Sequence, residues 1–199
     1  MKKKVELRSM EIRASNEGNE NLHIEGHAAV FEERTLLWES PYSGVKYYEQ
    51  ISREAIDGNT DMTDVILRYN HSDSALILAR TSNSTLRLTT DDKGIRFDAD
   101  IAPTTAGKDI YQLIKRGDIS KMSFAFTVDK DSWDTDNVDK TEVRTINHID
   151  AVVDVSPVDF PAYDGTSVEA RDNKGMIESL ESREKESELR KKLIVETFL

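Results

Sequence analysis

A chain of 199 residues with 37% hydrophobic and 33% charged residues can bury a proper core in one domain, with the excess charge placed in loops and a tail. Its net charge of -11 argues against a generic nucleic-acid binder, because neutralising phosphates needs Lys and Arg in excess. Without cysteine there are no disulfides, no thiolate catalysis and no cysteine zinc site. The basic start MKKKVELRS is not followed by the apolar core of a signal peptide, and no apolar run approaches the roughly 20 residues that span a bilayer. A soluble protein of a cytoplasm, with no membrane partner, is the expectation.

In chain order, residues 4–14 predict an opening strand with Val5, Leu7 and Ile12. NEGNEN (16–21) predicts a turn and residues 22–31 a second strand, so the first two form a hairpin. Gly26 within that strand marks a bulge or a close backbone approach. His23 and His27 lie on one face of it, but about 13 Å apart at about 3.3 Å per residue. They do not share a metal ion unless the strand bends, and they read as ordinary strand histidines. Residues 33–44, with Trp38 and a Pro-Tyr-Ser-Gly turn, read as loop. Residues 45–51 read as a Tyr-rich strand, 52–56 as a short helical segment capped by Ser52, and 57–64 as polar loop. Residues 65–70 predict an apolar strand that delivers His71, in YNHSD, at its end, where catalytic residues tend to sit. Taken alone, that string fits a surface-loop histidine better.

Residues 76–80, 86–89 and 94–101 predict three short strands with polar turns between them, a spacing that suggests a closed or nearly closed antiparallel barrel. TTAGKDIYQLIKR (104–116) is the clearest helix. Thr104 or Thr105 caps it, Ile110, Leu113 and Ile114 make its stripe with Tyr111 beside them, and Lys115, Arg116 and Gly117 mark its end. It leads into ISKMSFAFTV (119–128), a strand with Met122, Phe124 and Phe126 on one face and Ser123, Ala125 and Thr127 on the other. Residues 129–139 are acidic and read as an exposed hairpin loop, because they lack the central Gly and terminal Glu of a calcium loop. The return strand, 141–149, carries His148. Residues 151–158 are apolar apart from Asp154 and Ser156. A carboxylate in such a run needs a partner if buried, and a His suits it; a strand-end carboxylate facing water is the other reading. Pro157, Pro161, Ala162 and Tyr163 close the domain, and 166–171 predict a last short strand. Residues 1–173 thus read as one domain. Residues 174–199 read as a charged helical tail whose sparse line of Leu180, Leu189 and Leu193 has too little apolar surface for its own core, making it a docking helix or a removable tail.

His71, Ser123 and Asp154 sit in that order on three apolar strands. Serine chemistry needs a base within reach of the hydroxyl and a third group to hold the base. The absence of a G-x-S-x-G elbow argues against an α/β-hydrolase, and spacing alone does not bring the three together. The run IKRGDISKMSFAF, a Trp-containing loop and INHIDAVVDVSPVDFPAYDGTSVEAR, with GHAAVF and YNHSD upstream, closely resembles the prohead maturation proteases of tailed bacteriophages. These are serine peptidases similar in fold to the herpesvirus assembly protease. The match covers most of residues 22–171.

The resemblance implies an α+β fold: a mainly antiparallel, orthogonal β-barrel flanked by helices, with the charged C-terminal helix appended. It implies His71 as the catalytic histidine and Ser123 as the nucleophile. Asp154 stands where most relatives carry Glu in an EVS motif, one methylene longer. His148 is the rival third member, because the herpesvirus relatives use a second His there. It lies about 20 Å from Asp154 along an extended strand, so only one of the two reaches His71. The implied activity is that of an endopeptidase acting in the procapsid, in the host cytoplasm. Its substrates would be the scaffolding protein or the scaffold-like region of the major capsid protein, and the chain itself; self-association is left open. No metal and no cofactor are implied. A catalytically inactive assembly factor of the same fold is the alternative.

Overall fold

The computed structural model describes residues 5–14, 22–159, 178–186 and 189. The strands are β1 (Val5–Ala14), β2 (Leu22–Val30), β3 (Thr35–Glu39), β4 (Lys46–Ile51), β5 (Ile66–Leu67), β6 (Ala79–Arg80), β7 (Leu86–Thr90), β8 (Gly94–Ile101), β9 (Lys121–Asp136) and β10 (Thr141–Val158), with helix α1 (Thr105–Arg116) before β9. This is an α+β fold made mostly of sheet. The strands pair in the order β3-β4-β10-β9-β1-β2-β8-β7, and β5 lies beside β10 and carries β6. Pairing is antiparallel except where β10 meets β4 and β5. The path ends at β3 and β7, and among the described residues no pairing joins those ends, so hydrogen bonding does not close the sheet into the expected barrel.

One strand turns the corner. Residues 5–11 of β1 pair with β9, whereas Ile12, Arg13 and Ala14 pair with β2. A strand that changes partners midway joins two groups of strands, and the core draws side chains from both. From one sheet come Ile24, Leu86, Ile95, Phe97 and Ala99; from the other come Met122, Phe124, Phe126, Val152 and Val155. The period-2 rule is plain in β8, where Ile95, Phe97, Ala99 and Ile101 are buried and Arg96, Asp98 and Asp100 point away from the core. Full burial of each large apolar side chain is worth about 1.5–3 kcal/mol.

Helix α1 follows its sequence signals. Thr104 Oγ accepts the Gly107 N–H at 3.1 Å, and Gly117, at φ 89°, ends the helix by donating to the Leu113 and Ile114 carbonyls. It buries Tyr111 and Ile114, with Ile110 and Leu113 at the margin, against β1 and β2.

Several elements differ from expectation. Residues 35–39 form a strand rather than loop. A register shift between Leu36 and Trp38 breaks its alternation, and Trp38 packs on Tyr47 with ring centroids 5.3 Å apart. Residues 52–56 make only a turn, closed by Ala55 N–H to the Ser52 carbonyl at 3.0 Å. The acidic run is not loop: β9 continues through it to Asp136, paired with β10, and the reversal takes only residues 137–140. Its charged side chains keep exposed surface, Asp129 and Asp131 also pairing with His148 and Arg144, so the ladder forms without fully burying them. Residues 65–70 and 76–80 contribute two-residue strands only.

Gly26 has ordinary neighbours, Ile12 and Phe97, in the middle of its sheet. The bulge in β2 lies between His27 and Ala29, and the close approach is at Gly94, where a Cβ would lie 1.9 Å from the Ala29 carbonyl oxygen. The predicted turn 16–21, Pro161, Ala162 and Tyr163, the strand 166–171 and most of the tail lie outside the described residues. Residues 178–186 are helical and pack on the strands: Leu180 is buried, Ser40 Oγ donates to Glu184 at 3.0 Å, and Arg183 bonds Glu142 at 3.1 Å while lying 4.1 Å from the Trp133 ring centre.

Candidate active site

β5 runs parallel to β10, with Ile66 beside Asp154 and Leu67 beside Val155. The chain then leaves the sheet as a single 3-10 turn over Tyr69–His71, in which Asn70 (φ 53°) and His71 (φ 50°) are both left-handed. Two adjacent non-glycine residues in that region carry strain that the surroundings must hold. The holding groups are visible. Tyr69 Oη and Asn70 Nδ2 both donate to Asp159, the Asp159 N–H returns to Asn70 Oδ1, and the His71 N–H donates to Ser156 Oγ at 3.2 Å. Burial and the Asp159 carboxylate push the Tyr69 phenol up to about 12. The imidazole is thereby fixed over β10, with Nδ1 3.0 Å from Asp154 Oδ1. Its Nε2 is buried and, among the described residues, has no hydrogen-bond partner.

A bulge decides which face Asp154 takes. Val152 pairs with Phe126, but Asp154 pairs with Ala125. Phe126 and Ala125 point to opposite faces of β9, and cross-strand partners share a face. Val152 and Asp154 are therefore on opposite faces although two residues apart, with Val153 as the extra residue of the bulge. Val152 and Val155 go to the core. Asp154 and Ser156 go to the face of Ser123 and Ala125, and Ser156 stands directly opposite Ser123. Such a pair has Cβ atoms about 5 Å apart, and Ser156 Oγ touches the His71 backbone. Ser123, 3% exposed, is thus one residue's width from the His71 turn. The ring and the Ser123 hydroxyl are not hydrogen-bonded in this structure, since Nε2 has no partner.

Asp154 is 1% exposed and its carboxylate is saturated. Oδ1 accepts from Ser156 Oγ at 2.6 Å and faces His71 Nδ1; Oδ2 accepts from Arg68 Nε. Burial pushes its carboxyl up, but the bonds from His71, Ser156 and Arg68 outweigh burial and hold it below the usual range. His148 is elsewhere: its Nδ1 faces Asp129 at 2.5 Å and its Nε2 faces Asp57 at 3.2 Å. Of the two candidates for third member, Asp154 is the one in contact with His71. Sequence reading passed over Arg68 and Ser156. An Arg inside the apolar run VILRYN, and a Ser two residues after the buried acid, were the signals available.

His23 contacts Asp98 and Asp100, while His27 contacts Asp91; they share no partner. His23, Glu25 and Asp98 are close enough together to hold a cation, but Arg87 already bonds Asp98 and Arg96 bonds Glu25.

The His148 contacts have a pH signature. Asp129 first, then Asp57, raise its affinity for a proton against the opposing effect of burial. A raised folded-state value gives stability that is complete below the unfolded value of about 6.5 and lost as pH rises through the folded one. His148→Gln should therefore destabilise most below about pH 6.5, with the difference in urea midpoint shrinking toward pH 9.

A comparison with family models matches residues 8–180 to the model described as caudovirus prohead serine protease. No curated protein and no solved structure gives a significant match.

Proposed function

The chain belongs to the caudovirus prohead serine protease family, and on that premise we propose that His71, Ser123 and Asp154 are its catalytic base, nucleophile and orienting acid. The observation that carries this reading is the buried contact of His71 Nδ1 with Asp154, which leaves Nε2 without a partner on the face that holds Ser123. In the reaction, Ser123 Oγ attacks the scissile carbonyl carbon while its proton passes to His71 Nε2. The tetrahedral intermediate collapses when that proton moves to the amine, which leaves, and the acyl group stays on Ser123. Water, deprotonated by the same Nε2, then attacks the ester and releases Ser123 and the new carboxyl end. Asp154 keeps Nδ1 protonated and stabilises the cation formed at each step.

The family indicates capsid or scaffold proteins as substrates. The finer reading is cleavage of the scaffolding protein or the scaffold-like region of the major capsid protein, and of the chain itself, inside the procapsid in the host cytoplasm. It takes the two sheets joined through β1 as the halves of an opened orthogonal barrel.

The test is co-expression with the major capsid protein of the same phage, wild type against Ser123→Ala, with mass spectrometry of the products. Wild type should yield discrete new termini that Ser123→Ala does not. Identical product patterns would favour an inactive assembly factor.

A further inference from the structure

We propose that Arg68 is a positioning residue for the His71–Asp154 pair: it fixes the carboxylate through Oδ2, and the carboxylate so held keeps the imidazole in one orientation. The inference rests on the peptidase reading above. Arg68 directly follows β5, and its backbone N–H bonds the Val155 carbonyl at 3.3 Å. The same short segment therefore supplies both the cation and the imidazole that flank Asp154. Arg68 Nε donates to Asp154 Oδ2, and Nη1 donates to Asp73 at 2.6 Å. With His71 and Ser156 at Oδ1, both carboxylate oxygens are committed and the group cannot rotate away from the ring. The fork geometry of a guanidinium suits this two-sided hold.

The charges around His71 can be counted from each element that packs near it. Asp154 on β10 is negative and Arg68, after β5, is positive. Asp73 lies beyond Arg68 with its side chain exposed. Asp159 is engaged by Tyr69 and Asn70. Ser123 and Ser156 are neutral. With Arg68 on Oδ2, the carboxylate keeps one orientation and Oδ1 stays on His71 Nδ1.

The experiment measures kcat and KM on a peptide spanning the cleavage site found by co-expression, using the full chain. For Arg68→Met, kcat should fall by on the order of 10²-fold with KM unchanged. Arg68→Lys, which can still donate to Oδ2, should recover most of that loss. It is also the arm that survives if Arg68→Met does not fold: its kcat should then lie below wild type at unchanged KM, because the guanidinium fork is lost. Unchanged kcat in Arg68→Met, no recovery in Arg68→Lys, or a loss carried by KM in either overturns the proposal. Ser123→Ala is run beside them. If it is inactive and kcat of the Arg68 variants does not fall, only the role of Arg68 fails; if it still hydrolyses the peptide, the peptidase reading fails.

Discussion

His71→Asn is expected to lower kcat for peptide hydrolysis by on the order of 10⁶-fold while leaving the fold intact. Asn is the informative replacement because position 71 has φ 50°, a conformation that Asn tolerates better than Ala does. Its amide can still donate to Asp154, so the buried carboxylate keeps a partner. What disappears is the lone pair on Nε2, to which the proposed mechanism hands the serine proton. Circular dichroism and thermal midpoint near wild type, with activity at background, is the expected pairing. A loss smaller than about tenfold would remove His71 from the chemistry.

The largest expected loss of stability comes from Arg144→Met, which should cost about 3–5 kcal/mol. Arg144 is the fourth residue of β10, 7% exposed. Its Nη1 is 2.6 Å from Glu6 and 3.0 Å from Glu49, and its Nε is 2.6 Å from Asp131. One cation thus serves carboxylates from β1, β4 and β9, so it ties four strands at the end of the sheet away from His71. Burial disfavours the charged guanidinium, but these carboxylates outweigh it and hold the proton more tightly than usual. A methionine of similar length fills the space without balancing the charge. Urea denaturation should show a large drop in midpoint. Replacing the carboxylates as well, by apolar residues, should recover much of it, because the cost lies in uncompensated buried charge. A change below about 1 kcal/mol in the single variant would mean that the cluster is solvated.

Local rules read the regular parts of this chain well. β8 alternates, so its inward face was legible residue by residue, and α1 carries a cap, a stripe and a stop in the right places. The strand with Ser123 was legible for the same reason, although both of its faces are buried from Met122 to Thr127. Position 154 shows where such reading stops. Strict alternation puts Asp154 on the same face as Val152, in the apolar core. The bulge at Val153 reverses the phase, and nothing in VVDVS announces it. The segment before His71 was misread for a related reason: an apolar run suggested a strand up to Asn70, whereas a two-residue strand and a left-handed turn aim the ring. That turn depends on Asp159 and Ser156, almost ninety positions away in the chain, and such contacts leave no local pattern. The acidic run 129–136 misled in the opposite sense, because composition predicts solvation of side chains but does not forbid backbone pairing.

The central claim is that Ser123 is a nucleophile activated by His71. Treating the purified full chain with a fluorophosphonate probe and mapping the adduct by peptide mass spectrometry tests it directly. One adduct is expected, on Ser123 in the wild type, and none in His71→Asn. An adduct on a different residue, or equal labelling of Ser123 in both proteins, would contradict it.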